Sequence, residues 1–122
     1  MKEETVVIVG ASPKKDRYSN KAQNLLREYG HRVIPVHPQF KEIDGDTVYA
    51  SLQDIKENVD TVTLYVNPQR GEELVEQIIG LRPRRVIFNP GTESEKMSAT
   101  FVAAGIEPIN ACTLVLLRTK QF

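Results

Sequence analysis

The sequence predicts an α/β fold: one parallel sheet of five strands, doubly wound, with helices on both faces and strand order 3-2-1-4-5. Three observations carry that prediction. Short apolar, β-branched runs alternate with stretches of helical periodicity, in the order β-α-β-α-β-α-β-α-β. The links between them are short and none is a hairpin joining neighbouring strands, which leaves parallel strands connected by crossovers. The first run, Val6-Val7-Ile8-Val9, is apolar without alternation, as in a strand buried on both faces.

Each element has a local reason. Thr5 to Val9 is the first strand, and it ends in Gly10-Ala11-Ser12, small residues that allow a sharp turn and a close backbone approach. From Asn20 to Tyr29 the apolar residues Ala22, Leu25, Leu26 and Tyr29 share one helix face, and Gly30 stops the helix. Arg32 to Val36 is a second strand; Pro35 lacks an N–H and marks a strand end or an edge-facing position. Asp44-Gly45 is a turn signal, and Val48-Tyr49 reads as a scrap of extended chain. Ser51 with Asp54 resembles a capping box for a short helix through Ile55 to Asn58. Asp60 to Val66 is the third strand, rich in β-branched and aromatic residues. Gln69 to Gly80 carries a stripe of Leu74, Val75, Ile78 and Ile79. Arg84 to Phe88 is the fourth strand. Thr92 and Glu95 form a capping box for a helix that runs to Ala104, and Glu107 to Ile109 is the fifth strand. Periodicity leaves Cys112 to Leu117 open between strand and helix.

The chain has 122 residues, enough for one core and too few for two, so residues 1–122 read as a single domain. Lys plus Arg equals Asp plus Glu at 16 each, which argues against a nucleic-acid surface. No apolar run approaches the roughly 20 residues of a membrane span. Met1 to Glu4 lead into a strand without a signal-peptide core, so a cytoplasmic protein is expected, with neither nucleic acid nor membrane as partner. One cysteine, Cys112, excludes an internal disulfide and a cysteine-based zinc cluster.

In an open parallel sheet, ligands bind past the carboxyl ends of the strands. Those ends are Gly10-Ala11-Ser12, Val36-His37-Pro38, Val66-Asn67-Pro68, Asn89-Pro90-Gly91 and Asn110-Ala111-Cys112. They are short of acids and bases and rich in small residues, prolines and amides: a binding edge more than a catalytic one. An NAD site wants G-x-G-x-x-G and an acid after strand two. Gly10 is the only glycine among residues 1–29, and strand two ends in Val36-His37. The acidic cluster of a phosphate-receiving domain and the Walker loop are missing too. What remains is a phosphate-bearing small molecule held by backbone N–H groups near Ala11 and Ser12, with Lys14, Lys15 or Arg17 for charge. Plainer readings stand beside this one. Gly10 can be a turn glycine, Ser12 a helix cap, the cations a solvated loop, His37 a ring packed on Pro38, Asn89 a turn residue, and Cys112 a buried small hydrophobe.

The segments Val7 to Pro13 and Tyr29 to Pro38, with the late Cys112, resemble the small single-domain CoA-binding proteins, which are similar to the CoA-binding domain of the succinyl-CoA synthetase alpha subunit. The resemblance runs over residues 4 to 118. It implies a three-layer Rossmann-like domain that binds coenzyme A or an acyl-CoA. By resemblance, Gly10, Ala11, Ser12 and Pro13 line the phosphate turn. The loop from Lys14 through Arg17 to Tyr18 meets the phosphates or the 3′-phosphate, and Val36, His37 and Pro38 flank the adenosine. Val66 and Pro68 border the cleft; Asn89, Pro90 and Gly91 face the pantetheine. The chain departs from the family at two places: Val36-His37-Pro38 stands for Val-Asn-Pro, and Asn89-Pro90-Gly91 for Gln-x-Gly. The phosphorylated histidine of the synthetase lies in another domain and has no match here. No acid–base or nucleophile–base pair stands at the strand ends, so the chain reads as a binding module without catalytic residues or a metal. Two alternatives remain: a nucleotide-dependent enzyme using His37 or Cys112, and an interaction module with an empty site that forms a homodimer through the apolar tail Thr113 to Leu117.

Overall fold

The computed structural model describes residues 2–122. In chain order the elements are β1 (Thr5–Val9), α1 (Tyr18–Glu28), β2 (Arg32–Val36), β3 (Glu42–Ile43), β4 (Asp46–Thr47), a 3-10 turn (Leu52–Asp54), β5 (Thr61–Leu64), α2 (Pro68–Leu81), β6 (Arg85–Phe88), α3 (Glu95–Ala103), β7 (Glu107–Asn110) and α4 (Thr113–Arg118). Five strands form one parallel sheet, ordered β2-β1-β5-β6-β7. The alternating α/β pattern therefore gives the parallel, helix-covered sheet it predicts. No helix among the described residues is long and apolar enough to cross a membrane.

The strand order differs from the expected 3-2-1-4-5. Counting only the five sheet strands, it is 2-1-3-4-5: the third strand lies against β1, on the side opposite β2. Pro35 explains why. Its carbonyl accepts the Tyr49 N–H at 3.0 Å on the outer side of β2, so its nitrogen, which has no hydrogen, faces that edge too. A full strand there would lack a donor, and Tyr49 meets the edge in a single bridge to Val36. The chain after β2 also builds no crossover helix. The helix expected through Asn58 is one 3-10 turn, with Ser51 capping it by accepting the Gln53 N–H. Asp44-Gly45 instead closes a small antiparallel hairpin, β3–β4, with φ of 51° and 86°. That pair of positive values is what a tight two-residue hairpin demands.

The sheet buries apolar side chains on both faces. Val7, Val9, Val62, Leu64, Val86 and Phe88 pack against Leu74, Ile78, Met97 and Phe101 of α2 and α3. Val6, Ile8 and Val33 face Leu26 of α1 and Leu117 of α4 on the other side. Each such buried side chain contributes roughly 1.5–3 kcal/mol, which makes β1 the centre of the fold. Helix ends follow local chemistry with one change. The N-cap of α3 is Ser94, which accepts the Met97 N–H; Thr92 instead donates its hydroxyl to the Asn89 carbonyl at 2.8 Å. The open segment after Cys112 is the helix α4. Leu114 and Leu117 are buried inside this chain, so the apolar tail is largely covered by its own fold, with Val115 left exposed.

Candidate functional site

A cleft of about 820 Å³ opens above the carboxyl ends of β1, β2 and β5. Its floor at β1 is the turn that follows Val9. Gly10 has φ +87°, and a Cβ there would lie 2.8 Å from the Tyr65 carbonyl oxygen. Only glycine fits a chain this close to the β5–α2 link. The chain is then open to solvent from Pro13 to Tyr18. Ser12 Oγ accepts the Lys14 N–H at 3.1 Å, which leaves its hydroxyl proton for a ligand. Lys21 donates to the Arg17 carbonyl, so the N–H groups of Tyr18, Ser19 and Asn20 have no acceptor within α1. Arg17, the N-cap, offers no side-chain cap. This end of the helix therefore presents unpaired donors and the positive pole of its dipole beside the turn.

One expected donor is absent. The Ala11 N–H points sideways to the Val36 carbonyl at 3.3 Å, so it ties β1 to β2 and is not free for a phosphate. Lys15 is also engaged: its ammonium pairs with Asp44. That pair belongs to a partly buried brace. The Asn20 amide donates to the Ser12 carbonyl and to Asp44 Oδ2, each at 2.8 Å. Asn24 donates to the same carboxylate at 3.0 Å. The Lys15 ammonium, with both amides, holds the Asp44 carboxyl down at about 2. A hairpin that carries no cleft residue at Asp44 thus fixes the shape of the turn.

Of the residues singled out from sequence, Gly10, Ala11, Ser12, Pro13, Lys14, Arg17, Tyr18, Val36, His37, Pro38 and Val66 line the cleft. Pro68, Asn89, Pro90 and Gly91 are not among its lining residues. Pro68 opens α2. Asn89 is buried, with its amide donating to Thr63 Oγ1 and the Leu64 carbonyl and its oxygen accepting the Thr113 N–H at 2.9 Å. The Gly91 N–H goes to Glu93. Cys112, half-buried before α4, is likewise absent from the lining.

Sequence reasoning missed one wall. Arg70, Glu73, Leu74 and Gln77 of α2 all line the cleft. Their spacing puts them on one helix face, but the face that meets the cleft depends on how α2 seats on the sheet. Gln39, Phe40 and the stretch Ala50 to Leu52 complete the rim. The lining carries the cations Lys14, Arg17 and Arg70 against the single carboxylate Glu73, a balance suited to an anion. Groups for covalent chemistry are not assembled. His37 Nδ1 accepts the Gln39 N–H at 3.0 Å and its ring packs on Phe40. Burial pushes the Tyr65 phenol up to about 12, which keeps it protonated.

Known proteins place the chain in a family. A family model described as a CoA binding domain matches residues 4–118. The ADP-forming acetate–CoA ligase I of Archaeoglobus fulgidus is 33% identical over 72 residues, covering 59% of this chain and 10% of the ligase. The uncharacterized protein YneT of Bacillus subtilis is 30% identical over 69 residues, covering 57% of this chain and 49% of that protein. The chain thus matches about a tenth of the one relative's length and about half of the other's. The crystal structure of an uncharacterized protein is 42% identical, with a TM-score of 0.94 and 100% of both chains covered. The family match takes in every strand of the parallel sheet together with the turn and both walls of the cleft, and the chain belongs to the CoA binding domain family.

Proposed function

We propose that the chain binds coenzyme A, free or acylated, and performs no chemistry of its own. The observation that carries this reading is the cleft itself. Its size falls within the roughly 300–1,000 Å³ of small-molecule sites, and it stands on an open turn of small residues with the start of α1 and the cations Lys14 and Arg17 beside it. The diphosphate belongs on that turn, against the Ser12 hydroxyl and the Tyr18 to Asn20 amides. The apolar surfaces of Val36, Pro38, Val66 and Leu74 suit an adenine face. The similarity to a segment of an acetate–CoA ligase points to the same ligand.

Thermal unfolding of the whole chain with millimolar CoA, dephospho-CoA and NAD tests this. A ligand at a hundred times its Kd stabilises by about 2.7 kcal/mol, a shift easily read for a domain this size. CoA is expected to raise Tm in proportion to the logarithm of its concentration, and NAD to raise it less. Stabilisation by NAD with none by CoA would overturn the reading.

A further inference from the structure

The cations of the cleft stand on two walls. Lys14 and Arg17 belong to the loop after β1, where a diphosphate has its amide donors. Arg70 rises from α2, the helix that also supplies Leu74 to the apolar floor beside Val36 and Leu52. Arg70 and Leu74 are four residues apart on α2 and share its cleft face, which sets a cation beside the apolar floor.

Arg70 already has a partner. Its Nη1 donates to Glu73 Oε2 at 2.8 Å, one turn further along α2. The pair is loose by the standards of protein ion pairs. The side chains are 52% and 65% exposed, and the contact engages one guanidinium nitrogen. Exposed pairs of this kind contribute at most about 1 kcal/mol. A phosphate monoester carries about 1.5 to 2 negative charges near neutral pH. It also accepts two parallel N–H bonds from a guanidinium, the geometry a one-nitrogen carboxylate contact lacks. Such a group displaces Glu73, whose carboxylate needs only to turn into water. A ligand whose phosphates are confined to the diphosphate leaves the pair closed.

Resting on the reading of the cleft as a CoA site, we propose that Arg70 is the residue by which this protein tells CoA from ligands that lack the 3′-phosphate, with Glu73 as the competing anion that the 3′-phosphate must displace. The inference deepens the function and adds a selectivity that an anion-binding turn alone does not supply, because the turn sees the same diphosphate in CoA, dephospho-CoA and NAD.

The test is calorimetric titration of the whole chain with CoA and with dephospho-CoA, for the parent, Arg70→Ala, Arg70→Lys and Glu73→Gln. The parent is expected to prefer CoA by about tenfold or more, the value of a hydrogen bond to a charged group. Arg70→Ala should lose about that factor for CoA while its dephospho-CoA affinity stays within about twofold, the scale of an exposed pair. Arg70→Lys should keep part of the preference, as a point charge without the fork. Glu73→Gln should tighten CoA more than dephospho-CoA. Both positions are exposed, so the ligand-free Tm of each variant should match the parent and separate binding from folding. Equal losses for both ligands in Arg70→Ala, or a Glu73→Gln variant that binds CoA no more tightly, would overturn the inference. Equal affinity of the parent for CoA and dephospho-CoA would overturn it too and leave the CoA reading standing. Failure of the parent to bind CoA would remove both.

Discussion

Gly10 shows how one residue can satisfy the fold and the site at once. A side chain there meets two penalties: φ of +87°, and a contact at 2.8 Å with the backbone oxygen of Tyr65, which cannot move without moving β5. Gly10→Ala is expected to lower the unfolding free energy by about 1–3 kcal/mol, the usual cost of a strained backbone position, read as a lower urea midpoint at unchanged m-value. A variant as stable as the parent would show that the turn relaxes freely. The glycine was legible in the sequence as a turn residue; its neighbour was not, because Tyr65 arrives from the β5–α2 link, remote in sequence. Ala11 is the opposite case. Its small side chain reads as a sign of an open phosphate turn, yet its N–H is bonded to the carbonyl of Val36, the last residue of β2, two residues past the end of β1.

At the scale of elements, helices and strands were legible from periodicity, whereas the devices that join them were not. Asn89 reads as a cleft residue because it follows a strand. Folded, it clamps three elements, reaching Thr63 and Leu64 of β5 and the first N–H of α4. Asn89→Ala leaves the Leu64 carbonyl and the Thr113 N–H without this partner in a buried place. The expected cost is about 1–3 kcal/mol for the unsatisfied groups, with faster amide exchange in α4 than in α1. Unchanged exchange in α4 would mean that Leu114 and Leu117 anchor the helix without the clamp. The β3–β4 hairpin teaches the same lesson. Asp44-Gly45 announces a turn, but nothing local announces that the turn grips Lys15, Asn20, Asn24 and Arg27 and so braces the candidate phosphate loop. Thr92, with Glu95 three residues on, reads as the cap of α3, yet Ser94, followed at that distance by Met97, takes the place. The Asn89 carbonyl decides it by taking the Thr92 hydroxyl.

For the whole molecule, the end of the sheet opposite the cleft carries a buried histidine with consequences for stability. His31 accepts the Glu4 N–H at Nδ1, packs its ring on Phe122, and keeps Nε2 buried without a partner among the described residues. Burial lowers its pKa from 6.5, against the opposing pull of the Glu4 carboxylate. The folded chain therefore stays neutral at His31 where the unfolded chain takes up a proton. The stability this gives is complete above 6.5 and declines as pH falls from there towards the folded pKa. Urea midpoints measured from neutral to mildly acidic pH should show that decline, and His31→Asn, which keeps an acceptor for Glu4, should flatten it. The same slope in both proteins would assign the decline to other groups. The sequence by itself determined the alternation of strands and helices, the parallel sheet, the small-residue turn after β1 and the family resemblance, because each is written in short-range periodicity or in neighbouring residues. Only the tertiary structure decided the side of β1 on which the third strand lies, the face of α2 that walls the cleft, and the withdrawal of Asn89 into the interior. Those outcomes depend on which edges and faces are left free to pair once the chain has closed on itself. Pro35 carried a trace of the first, since a strand edge with no N–H to offer cannot take a full neighbour.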